Sequence, residues 1–156
     1  MNKVYKEVGE VIAGYSGLSR KVLDFCQIMK RIVDTTAKQP GFDAGGWNPL
    51  LALVEAGNFQ RIGNFKEVMN WEEYTAFLTG WASTAEWECS FKRMTEHDRV
   101  VFLELEERSK MGTYETVVNS VSVYEFNDAG KIQHIDVYLQ MGLPDPEMLK
   151  NYDNVL

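Results

Sequence analysis

Histidine and cysteine are scarce in this chain, two of each in 156 residues. Cys26 and Cys89 lie far apart in apolar patterns, which gives neither a disulfide framework nor a C-x-x-C pair. Two reduced core thiols are the expectation, as in a protein of the cytoplasm. His97 and His134 are too few and too isolated for metal-ligand spacing. H-E-x-x-H, P-loop and G-x-G-x-x-G patterns are missing, so no metal or nucleotide cofactor is expected. Cationic charge is also in deficit: Lys and Arg number 16 against 23 Asp and Glu, a net charge of −7. Such a surface repels phosphate backbones and argues against a nucleic-acid partner. Lys30-Arg31 and Lys92-Arg93 read as ordinary solvated pairs. Long apolar runs are lacking too. None approaches the roughly 20 residues of a membrane span, and the amphipathic start MNKVYKEVGEV is not expected to act as a secretory leader.

What is present is the composition of a globular protein, 45% hydrophobic and 25% charged. The length suits one domain over 1–156, with 1–17 as an N-terminal extension and 143–156 as a tail carrying a turn of helix. Valines 4, 8 and 11 with Ile12 suggest a short helix over 3–13, broken by Gly-Tyr-Ser-Gly. Leu18, Val22, Phe25, Cys26, Met29, Ile32 and Val33 repeat at helical spacing, with Ser16 or Ser19 as cap, and the helix must end before Pro40. A second short helix is expected from Trp47 to about Glu55, and short strands around Gly63. A third runs from Trp71 to Thr84, where Asn70 and Glu73 form a capping-box pattern.

The second half alternates with period two. Residues 86–95, 99–109, 113–127 and 131–140 read as strands rich in Val, Phe, Tyr, Ile and Trp, separated by breaks short enough for antiparallel hairpins. Helices followed by a meander predict an α+β fold: three N-terminal helices packed on one face of a curved antiparallel sheet. Such layers leave a concave space, for which Trp47, Trp71, Trp81 and Trp87 supply bulky walls.

The last hairpin, VSVYEFNDAGKIQHIDVYLQ, together with the WEEYTAFL helix and this order of elements, resembles the nuclear transport factor 2-like superfamily over about 18–141. That superfamily includes SnoaL-like polyketide cyclases, ketosteroid isomerase and limonene epoxide hydrolase. The resemblance implies a cone-shaped domain with an internal cavity, commonly a homodimer through the outer sheet face. It does not imply one chemistry.

The resemblance also nominates residues. Arg61 stands where the isomerase looks to have its basic aspartate and the hydrolase an asparagine; Phe59 replaces a hydrolase tyrosine. Glu104 matches a hydrolase aspartate and Phe102 falls where that enzyme has its arginine. Asp136, with His134 beside it, lies near a further hydrolase carboxylate. Ser122 falls at the isomerase's protonated aspartate, with the phenol of Tyr124 on the same strand face. The residues alone leave other readings open. Arg61 fits a surface arginine lying over an apolar edge. Leu103 and Leu105 facing the core leave Glu104 in water. The opposite parity on the last strand turns Ile135, Val137 and Leu139 inward and His134, Asp136 and Tyr138 outward.

Neither the hydrolase set nor the isomerase pair is intact, so the expectation is a cofactor-independent lyase or isomerase. It would move protons on a small hydrophobic, aromatic molecule. Its catalytic groups are expected among Arg61, Glu104, Asp136, His134 and Tyr124, with Phe59, Phe102, Trp81 and Ser122 around the substrate. The cofactorless diarylpropane lyases, which release formaldehyde from lignin-derived diols, resemble one member of that set. A non-catalytic ligand- or protein-binding module and an epoxide hydrolase are the rival readings.

Overall fold

The computed structural model describes residues 5–142. The expected tail turn and the start of the first helix lie outside them. In chain order the elements are α1 (Val8–Val11), α2 (Gly17–Asp34), strands β1 (Gln60–Ile62) and β2 (Val68–Met69), α3 (Trp71–Ala82), then β3 (Glu86–His97), β4 (Val100–Met111), β5 (Tyr114–Phe126) and β6 (Ile132–Gln140). The expected α+β layering is found, with the helices on the concave face of a six-stranded sheet of order β2-β1-β6-β5-β4-β3.

Two expectations need correction. The sheet is not purely antiparallel, because β1 runs parallel to β6, with Arg61 beside Ile135. The segment expected to be a helix from Trp47 is a 3-10 helix over Ala44–Ala52. Gly45 and Gly46 favour helix weakly and Pro49 lacks an amide donor, so α-helical bonding does not propagate. Trp47 nevertheless buries completely and donates from Nε1 to Thr79 Oγ1 at 3.0 Å, tying this segment to α3.

The four long strands are a meander whose turns are chemically explicit. Between β3 and β4, Asp98 and Arg99 both take positive φ, 47° and 63°, the pattern of a two-residue hairpin turn that usually calls for Asn-Gly. Between β5 and β6, Asn127 Oδ1 accepts from the amides of Ala129 and Lys131. Gly130 there has φ +74°, and a Cβ on it would meet Lys21 Nζ at 2.8 Å. Its missing side chain lets Lys21 donate to its carbonyl at 2.7 Å and clamp α2 to the turn. The open edge of β3 is covered by residues 6 and 7, through Phe91 N–H to Lys6 carbonyl at 2.7 Å and a bridge between Glu7 and Ser90.

Register fixes the faces. Val101, Leu103 and Leu105 of β4 pair with Tyr124, Ser122 and Ser120 of β5, and these pair with Ile135, Val137 and Leu139 of β6. This inner row packs on Val22, Leu23, Phe25, Cys26 and Met29 of α2. The first turn of α2 is not capped by a serine side chain. Ser19 N–H and Ser19 Oγ–H instead both donate to Glu96 Oε1 of β3, at 2.9 and 2.7 Å. A carboxylate at the positive end of the helix satisfies an orphan amide and complements the dipole. Replacing Glu96 by Ala should cost about 1–2 kcal/mol, read as a lower midpoint in urea with an unchanged slope.

Candidate functional site

Between α3, α2 and the concave face of the sheet lies an open cavity of about 830 Å³. α3 contributes Tyr74, Phe77, Leu78 and Trp81, a spacing of three and four residues that presents one helix face. Asn70 and Glu73 start that helix with the reciprocal capping bonds expected from the sequence, at 2.9 and 3.2 Å. Val118, Val137 and Leu139 line the sheet side, and Trp87 of β3 meets Trp81 edge-on with ring centroids 6.0 Å apart.

Three polar groups stand out in this apolar space. Arg61 enters from β1, its side chain 15% exposed and its guanidinium carbon 4.9 Å from the centre of the Tyr74 ring. Its Nη1 is buried without a hydrogen-bond partner among the described residues. Glu67 Oε1 lies 3.8 Å from that nitrogen, within ion-pair range but beyond a hydrogen bond. Glu107 enters from β4, its Oε1 accepting from Trp87 Nε1 at 2.9 Å. Tyr74 is buried, and its phenol feels both charges. Burial pushes its pKa up, Arg61 pulls it down, Glu107 pushes it up again, and the net shift is upward. Tyr74 therefore keeps its proton near neutrality. An arginine cation, a phenol donor and a carboxylate in one cavity can take a proton from a bound molecule and stabilise the negative charge left behind.

The structure sorts the residues nominated from the sequence. Arg61 and Trp81 line the cavity. Phe59 is buried just behind it, stacked on Tyr74 and edge-on to Trp71. Tyr124 and Ser122 lie on the inner face but not on the cavity wall. Tyr124 is buried edge-on to Phe25, with its pKa raised mainly by burial and then by Cys26. The neighbouring thiol of Cys26 is pushed up to about 12, burial again being the largest cause, so neither group is an available base.

Glu104, Phe102, Asp136 and His134 are turned the other way. With Leu103 and Leu105 facing the core, Phe102 and Glu104 emerge on the outer face. There Glu104 binds Arg93 through two bonds, at 2.5 and 3.0 Å, with Lys92 Nζ at 3.3 Å. Asp136 and His134 flank the buried Ile135 and pair with each other at 2.9 Å. The expectation that Arg61 and Glu104 act in one catalytic group is thereby corrected: they occupy opposite faces of the sheet. Sequence reasoning missed Glu107 and Tyr74. The signal for Glu107 was the run Val101, Leu103, Leu105, which carried on by two residues points Glu107 inward.

A scan against protein-family models finds no match, and a search of curated proteins finds no significant relative. Solved structures do match. AusH from Aspergillus nidulans is 13% identical with a TM-score of 0.62, covering 82% of this chain and 86% of its own. An NTF2-like protein of unknown function from Cytophaga hutchinsonii is 16% identical with a TM-score of 0.52, covering 86% and 96%. An LEH-like epoxide hydrolase of M. tuberculosis is 14% identical with a TM-score of 0.52, covering 73% and 84%. Further matches are described as a SnoaL-like polyketide cyclase and a protein with a ketosteroid isomerase-like fold. At these identities the likeness is one of fold, and the chain has the NTF2-like fold.

The outer-face placement of Glu104 has a measurable consequence. Hydrogen bonding to Arg93 is the largest cause holding its carboxyl below the ordinary value of 4.5. A folded-state pKa below the unfolded one gives stability that is present above the unfolded value and lost as pH falls through the folded value. Glu104→Gln should therefore lower the melting temperature at pH 7, and the gap to the wild type should close progressively in melts run below about pH 4.5.

Proposed function

We propose that this protein is a cofactor-independent enzyme, a lyase or isomerase, that transfers protons on a small aromatic substrate bound in the cavity. The observation that carries this reading is the convergence of Arg61, Tyr74 and Glu107 on one largely apolar space. In the proposed reaction Glu107 is the general base. It takes a proton from carbon for an isomerisation, or from a β-hydroxyl for a retro-aldol cleavage. The electron pair moves to the substrate carbonyl oxygen, and that oxyanion is met by the Arg61 guanidinium and the Tyr74 phenol. Protonated Glu107 then returns the proton to carbon. Trp81, Trp87, Phe77 and Leu78 hold the ring system and thin the water around it, which strengthens each electrostatic contact. Retro-aldol release of formaldehyde from a lignin-derived diarylpropane that carries a carbonyl beside the hydroxymethyl-bearing carbon is one reaction of this class: the C–C bond to the CH2OH carbon breaks, and its electron pair is held on that carbonyl oxygen. The fold shared with an LEH-like epoxide hydrolase keeps hydrolysis as the rival chemistry.

The test is hydrogen–deuterium exchange at the α-carbon of aryl ketones such as 1-tetralone in D2O, followed by proton NMR, with formaldehyde release from their hydroxymethyl adducts marking a lyase. Glu107→Gln should reduce the rate by about 10²-fold or more, and Arg61→Met by about 10²-fold. Circular dichroism spectra should stay those of the wild type. Wild-type rates in both variants would sink the assignment. Ligand binding without exchange or release would leave a binding module. Incorporation of labelled oxygen from water into a diol product would identify the hydrolase.

We also infer a homodimer formed through the outer sheet face. Phe102 and Tyr138 are 44% and 60% exposed there, beside the Arg93–Glu104 and His134–Asp136 pairs. Two-fold pairing sets such a mixed surface against itself. Sedimentation should give a dimer for the wild type and a monomer for Phe102→Asp; a wild-type monomer at 100 μM, a concentration of about 10⁻⁴ M, would refute it.

A further inference from the structure

Among the described residues three charged side chains line the cavity. Glu107 accepts a hydrogen bond from the Trp87 indole N–H, and Glu115, at the rim, lies 3.5 Å from Lys110 Nζ. Arg61 has an ion pair, with Glu67 at 3.8 Å, but differs in its hydrogen bonding. Its stem is enclosed, its guanidinium lies over the Tyr74 ring, and its buried Nη1 donates to none of the described residues. Buried donors in native proteins are almost always satisfied, and a guanidinium nitrogen is among the costliest to leave bare.

The carboxylate that would satisfy it is held back. Glu67 Oε2 accepts from the Phe65 amide at 2.9 Å, and the Glu67 carbonyl accepts from the Gly63 amide at 2.9 Å. The turn is so tight that a Cβ on Gly63 would lie 1.7 Å from Glu67 Oε1. Asn64 Oδ1 then accepts from the amide of Leu139 at 3.0 Å, fastening the turn to a strand residue that lines the cavity. Tethered in this way, Glu67 balances the charge of Arg61 without occupying its N–H. The side of Arg61 that remains faces an aromatic-walled space.

We infer that the cavity selects planar aromatic carboxylates, docked with the carboxylate on the Arg61 guanidinium where it lines the cavity, and that Glu67, on the buried Nη1 side, is a positioning residue that sets how strongly Arg61 attracts them. Guanidinium and carboxylate match in geometry as well as charge, and enclosure makes the match worth more than at a surface. The aromatic body stacks among Tyr74, Phe77, Trp81 and Trp87. Glu107 and Glu115 disfavour an anion near their own wall, which orients the ligand with its charged end toward β1. This inference rests on the proposed function only in using the same cavity.

The probes are 2-naphthoate and 2-naphthamide, similar in shape and different in charge, titrated by calorimetry into the full chain at pH 7 and low salt. Naphthoate should bind at least about tenfold more tightly, a difference of about 1.4 kcal/mol. Arg61→Gln should erase the preference, and Arg61→Lys should restore part of it. Glu67→Gln, which keeps an amide oxygen to accept from Phe65 N–H, should strengthen naphthoate several-fold and leave naphthamide unchanged. A purely structural Glu67 would shift both ligands alike. Equal affinities in the wild type, a preference that survives Arg61→Gln, or no naphthoate binding overturns the inference. Naphthoate preference without any α-carbon exchange sinks the catalytic reading and spares this one. Glu107-dependent exchange without the preference does the reverse.

Discussion

Burial of the odd-numbered residues of β4 against α2 sets the parity on which everything else in this molecule depends. Val101 and Leu103 are fully buried and Leu105 nearly so. Side chains alternate along a strand with period two, so once those three face the helix, no freedom is left to their neighbours. Glu107 must enter the cavity and Glu104 must leave it. The antiparallel pairing carries the same decision through Ser120, Ser122 and Tyr124 of β5 to Ile135, Val137 and Leu139 of β6. A single packing contact, repeated across three strands, separates the interior chemistry of the protein from its exterior chemistry.

That division is visible in how the charges are arranged. Outside, carboxylates meet cations directly: Glu104 with Arg93 and Lys92, and Arg108 with Glu7, Glu88 and Glu106. Such contacts in water are individually weak and mainly set specificity and solubility. Inside, the charged groups are few, spaced apart, and in contact with aromatic rings or an indole N–H. Arg61 lies on Tyr74, and Glu107 receives Trp87. Charges that do not neutralise one another are the ones still able to act on a bound molecule.

The architecture was largely legible in the amino-acid sequence because it is written in short-range patterns. The apolar spacing of α2, the Asn70–Glu73 capping pair and the four alternating strands each need only a window of ten or so residues, and each is found close to its expected span. The parallel join of β1 to β6 was not legible, since it links residues some seventy positions apart and leaves no local trace. Arg61 was legible through the resemblance. The carboxylate was not, because the resemblance nominated Glu104, three positions from Glu107 and on the opposite face. Tyr74 was hidden differently: it sits inside the WEEYTAFL helix as one aromatic among several, and only its contact with Arg61 gives it a further meaning.

The contact between Glu96 and Ser19 carries one more implication. It joins the start of α2 to the end of β3 across 77 residues of chain. A helix whose first turn depends on a distant strand cannot complete itself while that strand is unformed, and closing so long a loop must be repaid by many contacts at once. The first turn of α2 accordingly gains its carboxylate partner only once β3 is in place. The cavity, whose walls come from both halves of the chain, is complete only when both are folded.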